Sequence, residues 1–132
     1  MSRPLNVLVV DDQASTRTLI AEALAEDRDA AVMLAQDGDH ALRMVLAHRF
    51  DAIVCDVKME PVDGLSFLRA LRTHKETAVR DIPVIIMATT ASREVLVAAH
   101  QFEAIAIMAK PVSVAMLKAR LQTVRDAKTR PR

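Results

Sequence analysis

The chain has 132 residues, 52% of them hydrophobic and 2% aromatic, and its 18 basic and 17 acidic side chains give a net charge of +1. This length predicts one domain. We find neither a secretion signal nor a membrane-length apolar run, so we expect no membrane anchor. A single cysteine predicts a cytoplasmic protein with no disulfide and no zinc site. Six of the basic side chains lie in residues 118–132, so the rest of the chain is mildly acidic, which argues against nucleic acid as a partner. The chain also has no Tyr or Trp on which bases could stack.

Five short apolar segments predict β-strands. They cover residues Leu5–Val10, 31–34, 52–55, 83–87 and 105–108. The first segment is almost entirely aliphatic, which is typical of a strand buried on both faces of a sheet. The fourth begins with Pro83, and proline is tolerated at the first position of a strand.

Amphipathic segments that predict helices follow each of these strands. After the first strand, Leu19, Ile20 and Leu24 lie on one face of a helix, and similar apolar spacings recur in residues 41–46, 65–71, 95–99 and 114–124. A polar loop is expected at about residues 73–81. Strands that alternate with helices predict an α/β fold, a doubly wound five-stranded parallel sheet with helices on both faces. We place this domain at residues 1–126 and a basic C-terminal tail at residues 127–132.

The residues that follow the predicted strands carry the functional signal, because ligands of doubly wound sheets bind at the carboxyl ends of the strands. These residues are Asp11 and Asp12 after the first strand, Asp56 after the third, Ala88, Thr89 and Thr90 after the fourth, and Lys110 after the fifth. Three carboxylates and one ammonium group are therefore expected to meet at one edge of the sheet. An isolated Asp pair is more typical of a helix cap, but the pair together with Asp56 and Lys110 favours a functional site.

The chemistry of this cluster predicts phosphoryl transfer. Clustered carboxylates repel one another unless a cation neutralises them, and Mg²⁺ is bound through one or two carboxylates together with phosphate oxygens. Lys110 would contact that phosphate as a point charge. An ionised aspartate beside Mg²⁺ and lysine can attack phosphorus to form an aspartyl phosphate. The chain has two glycines, Gly38 and Gly64, and so lacks a glycine-rich nucleotide loop.

The motifs at these strand ends resemble those of response regulator receiver domains, in particular the stand-alone kind similar to chemotaxis response regulators. The matching segments are Val9-Val10-Asp11-Asp12, Cys55-Asp56-Val57-Lys58-Met59, Asp63-Gly64-Leu65 and Lys110-Pro111. The resemblance covers about residues 5–125. It implies that Asp56 accepts a phosphoryl group, that Asp12 binds Mg²⁺ directly and that Asp11 acts largely through water. It also implies that the Lys58 carbonyl completes the metal shell, that Lys110 contacts the phosphate and that the Lys110–Pro111 bond is cis.

Two positions depart from the usual pattern of this family. Receiver domains usually place Thr or Ser at the end of the fourth strand, where counting gives Ala88. A one-residue bulge would present Thr89 instead, and we predict a catalytic role for Thr89 in that arrangement. The family often has Tyr or Phe in the fifth strand, where this chain has Ile107. The predicted switch positions are therefore Ala88, Thr89 and Ile107.

The resemblance implies a single-domain response regulator of a two-component phosphorelay. A sensor histidine kinase or a phosphotransfer protein would donate a phosphoryl group to Asp56 with Mg²⁺. Modification would change the binding of an unknown downstream protein through residues 93–102, 105–108 and 112–125. The chain would catalyse only its own phosphorylation and dephosphorylation. The alternative is a pseudo-receiver whose partner binding is independent of phosphorylation, and a phosphohydrolase of external esters is a weaker third possibility.

Overall fold

The computed structural model describes residues 4–26 and 30–129. Within these ranges the chain forms five strands and six helices. The strands are β1 (Leu5–Val10), β2 (Ala30–Ala35), β3 (Ala52–Asp56), β4 (Val84–Ala88) and β5 (Ala106–Ala109). The helices are α1 (Ala14–Ala25), α2 (Gly38–Ala47), α3 (Gly64–Arg72), α4 (Thr77–Arg80), α5 (Arg93–Gln101) and α6 (Val114–Thr129). None of the helices in these ranges is both long and apolar enough to cross a membrane.

The strands of the described chain form one parallel sheet in the order β2-β1-β3-β4-β5, which confirms the predicted fold. The chain runs outward from β1 to β2 and then crosses back to β3 on the other side of β1. β1 and β3 therefore flank the point where the strand order reverses. In folds of this class, ligands bind in the crevice outside the carboxyl ends of these two strands.

Two apolar core layers cover the faces of the sheet. Successive side chains of β1 alternate between them, because Leu8 and Val10 pack into one layer while Val7 and Val9 pack into the other. Side chains of α2, α3, α4 and α5 complete the first layer, and those of α1 and α6 complete the second. β3 and β4 are buried along their whole length, whereas the edge strands β2 and β5 are partly exposed. The carboxyl end of β3 therefore rests on the best-buried part of the molecule.

The segment predicted as a polar loop, residues 73–81, contains the one-turn helix α4, so the prediction was wrong for these four residues. Val79 is buried in the first core layer, and the amide of Arg80 donates to the Glu76 carbonyl at 2.8 Å. A single turn is too short to show an apolar period and gains its stability from packing. Tertiary contacts, among them the burial of Val79, therefore stabilise this turn.

Four of the five strands differ by one residue from the sequence prediction at one or both ends: β2 is one residue longer at each end, β3 includes Asp56, and β4 and β5 are each shifted by one residue. β4 begins at Val84, because Pro83 has no N–H to donate to the neighbouring strand, although its carbonyl accepts from the amide of Ile53 at 2.9 Å. β5 begins at Ala106, one residue later than predicted.

The last helix extends into the segment predicted as a basic tail. α6 continues to Thr129, and Nζ of Lys128 lies 3.3 Å from a carboxylate oxygen of the buried Asp51 at the start of β3. This ion pair ties the end of α6 to the amino-terminal edge of the sheet. The last three residues of the predicted tail, 130–132, lie outside the described ranges.

Candidate functional site

Asp56 is the last residue of β3 and stands at the carboxyl edge of the sheet. It is in register with Met87 of β4, and the amide of the next residue, Val57, donates to the Met87 carbonyl at 3.0 Å. This pairing holds the strand end in place, and only 5% of Asp56 is exposed. A carboxylate buried to this extent needs a polar partner.

Lys110, immediately after β5, supplies that partner. Its Nζ donates to Asp56 Oδ2 at 3.1 Å and to Asp11 Oδ2 at 3.0 Å, and 14% of its side chain is exposed. The amide of Lys110 donates to the Ala88 carbonyl at 3.0 Å, which fixes the residue beside the end of β4. The Lys110–Pro111 bond is cis, as the resemblance implied. One ammonium group therefore bridges carboxylates that follow β1 and end β3.

Asp11 and Asp12 follow β1 and differ in environment. Asp11 is fully buried; its Oδ1 accepts from the Gln13 amide at 2.9 Å, and the guanidinium of Arg17 donates to its main-chain carbonyl at 2.6 Å. Asp12 is exposed and lines the adjoining cleft. The N-cap of α1 is Gln13 and not either aspartate, so the pair does not serve as a helix cap.

The electrostatics of the cluster favour an additional cation. Carboxylate oxygens of Asp11, Asp12 and Asp56 lie within 4.8 Å of one another, so three negative charges face the one positive charge of Lys110. Burial raises the pKa of Asp56; the hydrogen bond from Lys110 opposes this shift, and the charges of Asp11 and Asp12 add to it. Burial acts to lower the pKa of Lys110, but its hydrogen bonds to Asp11 and Asp56 outweigh burial and raise it. A divalent cation would neutralise the remaining negative charge.

The donor set fits Mg²⁺. This ion prefers oxygen ligands, binds proteins through one or two carboxylates and keeps several positions for water and phosphate oxygens. Asp12 and Asp56 offer carboxylate oxygens on the side of the cluster that opens to the cleft. Lys58, whose carbonyl the resemblance implies as a ligand, lies two residues after Asp56 on the rim of the same cleft, with its side chain exposed.

An open cleft of about 1080 Å³ adjoins these carboxylates. It is lined by the connector between β3 and α3, by the connector between β4 and α5 with the first turn of that helix, and by residues at the start of α1. Asp56 and Lys110 both line the cleft. Asp56 is therefore reached from solvent through the cleft, although the residue is almost fully buried.

The predicted switch positions lie around this cleft and the neighbouring strand. Ala88 is the buried last residue of β4 and lines the cleft. The pairing of β4 with β5 is regular through Ala88, so β4 lacks the bulge that would move Thr89 to the strand end. Thr89 and Thr90 follow the strand, are exposed and line the cleft. Ile107 lies in β5, where it is partly buried and packs against the first core layer. The carboxyl end of β4 thus presents a methyl group and not a hydroxyl at the cleft.

Two glycines shape the connector that carries Lys58, a role that sequence reasoning missed. The amide of Gly64 donates to the Val57 carbonyl at 2.8 Å, and a Cβ at Gly64 would collide with the main-chain carbonyl of Asp56. The amide of Gly38 donates to the Val62 carbonyl at 2.9 Å, and a Cβ at Gly38 would lie 2.7 Å from Cγ1 of Val62. The chain has no other glycine. The only available sequence signal was that a chain with so few glycines places both of them directly before predicted helices.

Cys55, the residue before Asp56, belongs to the core and not to the reacting groups. It is fully buried, and its thiol donates to the Asp56 carbonyl at 3.3 Å. Burial raises the pKa of this thiol, and the neighbouring carboxylates raise it further. A thiol in this environment stays protonated and is a poor nucleophile.

Comparison with known proteins agrees with the fold. Residues 7–122 match the family described as the response regulator receiver domain. This match spans most of the chain, and the chain belongs to this family.

Several relatives match almost the whole chain. "Probable chemotaxis protein CheY" of Rhizobium etli is 28% identical over 124 residues, which cover 94% of this chain and 95% of that protein. The response regulator MprA of Mycolicibacterium vanbaalenii is 33% identical over 92% of this chain, but the match covers only 50% of MprA. The solved structure of the chemotaxis response regulator CheY4 of Vibrio cholerae is 30% identical, with a TM-score of 0.81 and coverage of 92% of this chain and 98% of that chain.

Proposed function

We propose that this chain is a response regulator in which Asp56 accepts a phosphoryl group in a Mg²⁺-dependent reaction. The observation that carries the proposal is the Lys110 ammonium group, held 3.1 Å from Asp56 and 3.0 Å from Asp11 at the carboxyl end of the sheet. An ammonium group in this position can bind an oxygen of a phosphoryl group as it approaches Asp56. The open side of the cluster, with exposed Asp12, leaves room for the metal and the donor.

The Asp56 carboxylate acts as the nucleophile in this mechanism. The hydrogen bond from Lys110 favours its ionised form against the burial that raises its pKa. One carboxylate oxygen attacks phosphorus, the bond between phosphorus and the leaving group breaks in line, and the leaving group departs with the bonding electrons. Mg²⁺, when bound, neutralises charge on the phosphoryl oxygens. Asp12, Asp56 and the Lys58 carbonyl would hold the ion, and Asp11 would act on it largely through water.

The proposed donor is a sensor histidine kinase or a phosphotransfer protein, and the proposed compartment is the cytoplasm. The reader of the phosphorylated state would be a downstream protein that binds residues 93–102, 105–108 and 112–125. Large apolar side chains on these elements support this surface, because Leu96, Val97, Ile105 and Met116 are each about half exposed. Modification of its own Asp56 is the only reaction that we assign to the chain.

Intact mass tests the proposal. Incubation of the wild type with Mg²⁺ and a small acyl phosphate is expected to add one phosphoryl group. Asp56→Asn removes the nucleophile at nearly constant size and is expected to stay unmodified. Asp39→Asn is the matched control, because Asp39 is an exposed acid in the first turn of α2, and it should be modified like the wild type. An unmodified wild type, or equal modification of Asp56→Asn, contradicts the proposal.

A pseudo-receiver is the second candidate function, and Ala88 at the end of β4 favours it, because this position holds no hydroxyl to bind a phosphoryl oxygen. Beryllofluoride with Mg²⁺ mimics the phosphoryl group on an aspartate. Affinity for the downstream protein, measured with and without this mimic, separates the two candidates. A change in affinity supports the phosphorylation-dependent regulator, and a constant affinity supports the pseudo-receiver.

A further inference from the structure

Arg72, the last residue of α3, binds four main-chain carbonyl groups outside its own helix. Its Nε donates to Phe102 at 2.8 Å, Nη2 donates to Glu103 at 3.2 Å, and Nη1 donates to Arg80 at 2.7 Å and to Ile82 at 2.8 Å. Phe102 and Glu103 follow α5, whereas Arg80 and Ile82 precede β4. One guanidinium group therefore links the ends of α3, α4 and α5 at the edge of the sheet opposite the carboxylates.

The carboxyl end of α5 has a backbone conformation that benefits from this support. Glu103 has a φ of 55°, in the left-handed region that residues with a Cβ seldom adopt. The amide of Glu103 donates to the His100 carbonyl at 3.3 Å, and the amide of Ala104 donates to the Ala99 carbonyl at 2.8 Å. Helix ends of this kind are usually built with glycine at the left-handed position. Arg72 binds the two carbonyl groups of this turn and so stabilises it without glycine.

The opposite end of α5 is held more loosely. Residues 89–94 are all exposed, and Thr89, Thr90, Ser92 and Glu94 line the cleft beside Asp56. The Ser92 hydroxyl caps the helix by accepting from the Val95 amide at 3.3 Å. In the described part of the chain, no hydrogen bond or ion pair joins residues 89–94 to another element. The two ends of one helix thus differ greatly in the number of bonds that restrain them.

We propose that Arg72 is a positioning residue that makes the carboxyl end of α5 a fixed pivot, so that a phosphoryl group on Asp56 moves residues 89–94 and leaves residues 102–105 in place. This inference rests on the proposed function, because it identifies the element that responds to Asp56. Local opening is easiest where few contacts hold the chain, which is the amino end of α5. Lysine cannot replace Arg72 in this role, because a compact ammonium group lacks the planar fork that reaches several acceptors at once.

Amide hydrogen exchange of the wild type tests the pivot without any substitution. With Mg²⁺ and beryllofluoride, exchange is expected to change at residues 89–94 and at the Val95 amide, which donates to Ser92, and to stay within about twofold at residues 102–105, since only the loosely held end moves. The amides of Phe102, Glu103, Ala104 and Ile105 all donate hydrogen bonds and so give measurable protection. A change of equal size at both ends of α5 overturns the pivot.

Arg72→Lys tests the guanidinium group itself, and Arg69→Lys on an exposed position of the same helix is the matched control. Without beryllofluoride, Arg72→Lys is expected to speed exchange at residues 102–105 by about tenfold or more, because charge-assisted hydrogen bonds are lost there. Arg69→Lys should leave this exchange at the wild-type rate. With beryllofluoride, the response of Arg72→Lys should spread to residues 102–105. Wild-type exchange at these residues in Arg72→Lys overturns the inference.

Failure of the proposed function gives a different result from failure of the pivot alone. In that case intact mass finds no phosphoryl group on the wild type, and beryllofluoride changes exchange at no residue, which removes the proposed function and the pivot together. A wild type that is phosphorylated at Asp56 but responds equally at both ends of α5 removes the pivot alone.

Discussion

Asp11 and Asp12 are neighbours in the chain but contribute to the site in different ways. Asp11 is fully buried and is bound by the Gln13 amide and by Lys110. Asp12 is exposed at the cleft. Asp11 therefore holds the ammonium group in place from within, whereas Asp12 presents its carboxylate to a cation arriving from solvent.

This difference predicts that Asp12 is required for stabilisation by Mg²⁺. A ligand that binds only the folded state adds about 1.4 kcal/mol to the free energy of unfolding at ten times its Kd. Thermal unfolding of the wild type should therefore shift to higher temperature when Mg²⁺ replaces a chelator. We expect Asp12→Asn to lose most of this shift and Asp39→Asn to keep it. An equal shift in Asp12→Asn and wild type would place the metal elsewhere.

Thr89 lines the cleft without the bulge that the prediction invoked, so its catalytic role stays a prediction, and its neighbour Thr90 provides the control. Thr89→Val keeps the side-chain shape and removes the hydroxyl. If the hydroxyl binds a phosphoryl oxygen, phosphorylation by a small acyl phosphate should slow by about two- to tenfold, the value of one lost hydrogen bond. Thr90→Val, also exposed in the cleft, should react at the wild-type rate. Equal rates for all three proteins would assign no role to the Thr89 hydroxyl.

Among the connectors, the one between β3 and α3 depends most on the size of a single residue. A Cβ at Gly64 would collide with the main-chain carbonyl of Asp56, which cannot move without shifting the end of β3. Gly64→Ala is therefore expected to lower the free energy of unfolding by about 2–3 kcal/mol, as overpacking does, and to slow phosphorylation of Asp56. Urea unfolding and intact mass measure these effects.

Ser66→Ala on the same helix is the control for this substitution. Asp63 caps α3 through the Ser66 amide, so the Ser66 side chain can be removed without loss of the cap. Ser66→Ala should stay within about 0.5 kcal/mol of the wild type, as exposed substitutions usually do. A Gly64→Ala protein as stable as Ser66→Ala would contradict the close contact at Asp56.

The sequence predicts elements best where a whole segment is buried. The aliphatic run Leu5–Val10 indicates a central strand, because a strand covered on both faces needs apolar side chains at nearly every position. α4 was missed because tertiary contacts, such as the burial of Val79 and the bond from Arg72 to the Arg80 carbonyl, stabilise this single turn. The start of β4 was misplaced by one residue because Pro83 lacks an N–H, although its carbonyl still joins the neighbouring strand.

Side-chain chemistry was predictable in the site, but main-chain contacts were not. Asp11, Asp12, Asp56 and Lys110 follow directly from residue type and from their position at strand ends. The bonds of Arg17 to the Asp11 carbonyl and of Arg72 to four distant carbonyls leave no trace in the sequence, because every residue has a carbonyl group. Such contacts depend on how the elements pack in three dimensions.

Across the whole molecule, the carboxyl edge of the sheet carries the candidate site, and the amino edge holds the ends of several helices. The carboxyl edge gathers Asp11, Asp12, Asp56 and Lys110 around an open cleft. At the amino edge, Arg72 links the ends of three helices, and Lys128 of α6 pairs with buried Asp51. The core between the two edges is close-packed, so residues at the carboxyl edge can move while the amino edge stays folded. Phosphorylation is therefore expected to alter the elements around the cleft while the amino edge keeps its structure.

Chemical identification of the modified residue tests the central claim most directly. An aspartyl phosphate is an acyl phosphate, and borohydride reduces it to an alcohol, which converts the modified aspartate to homoserine. After treatment of the wild type with Mg²⁺ and a small acyl phosphate, reduction and peptide mapping should find homoserine at position 56 and unchanged aspartate at positions 11 and 12. Homoserine at position 11 or 12, or at no position, would contradict Asp56 as the phosphoacceptor.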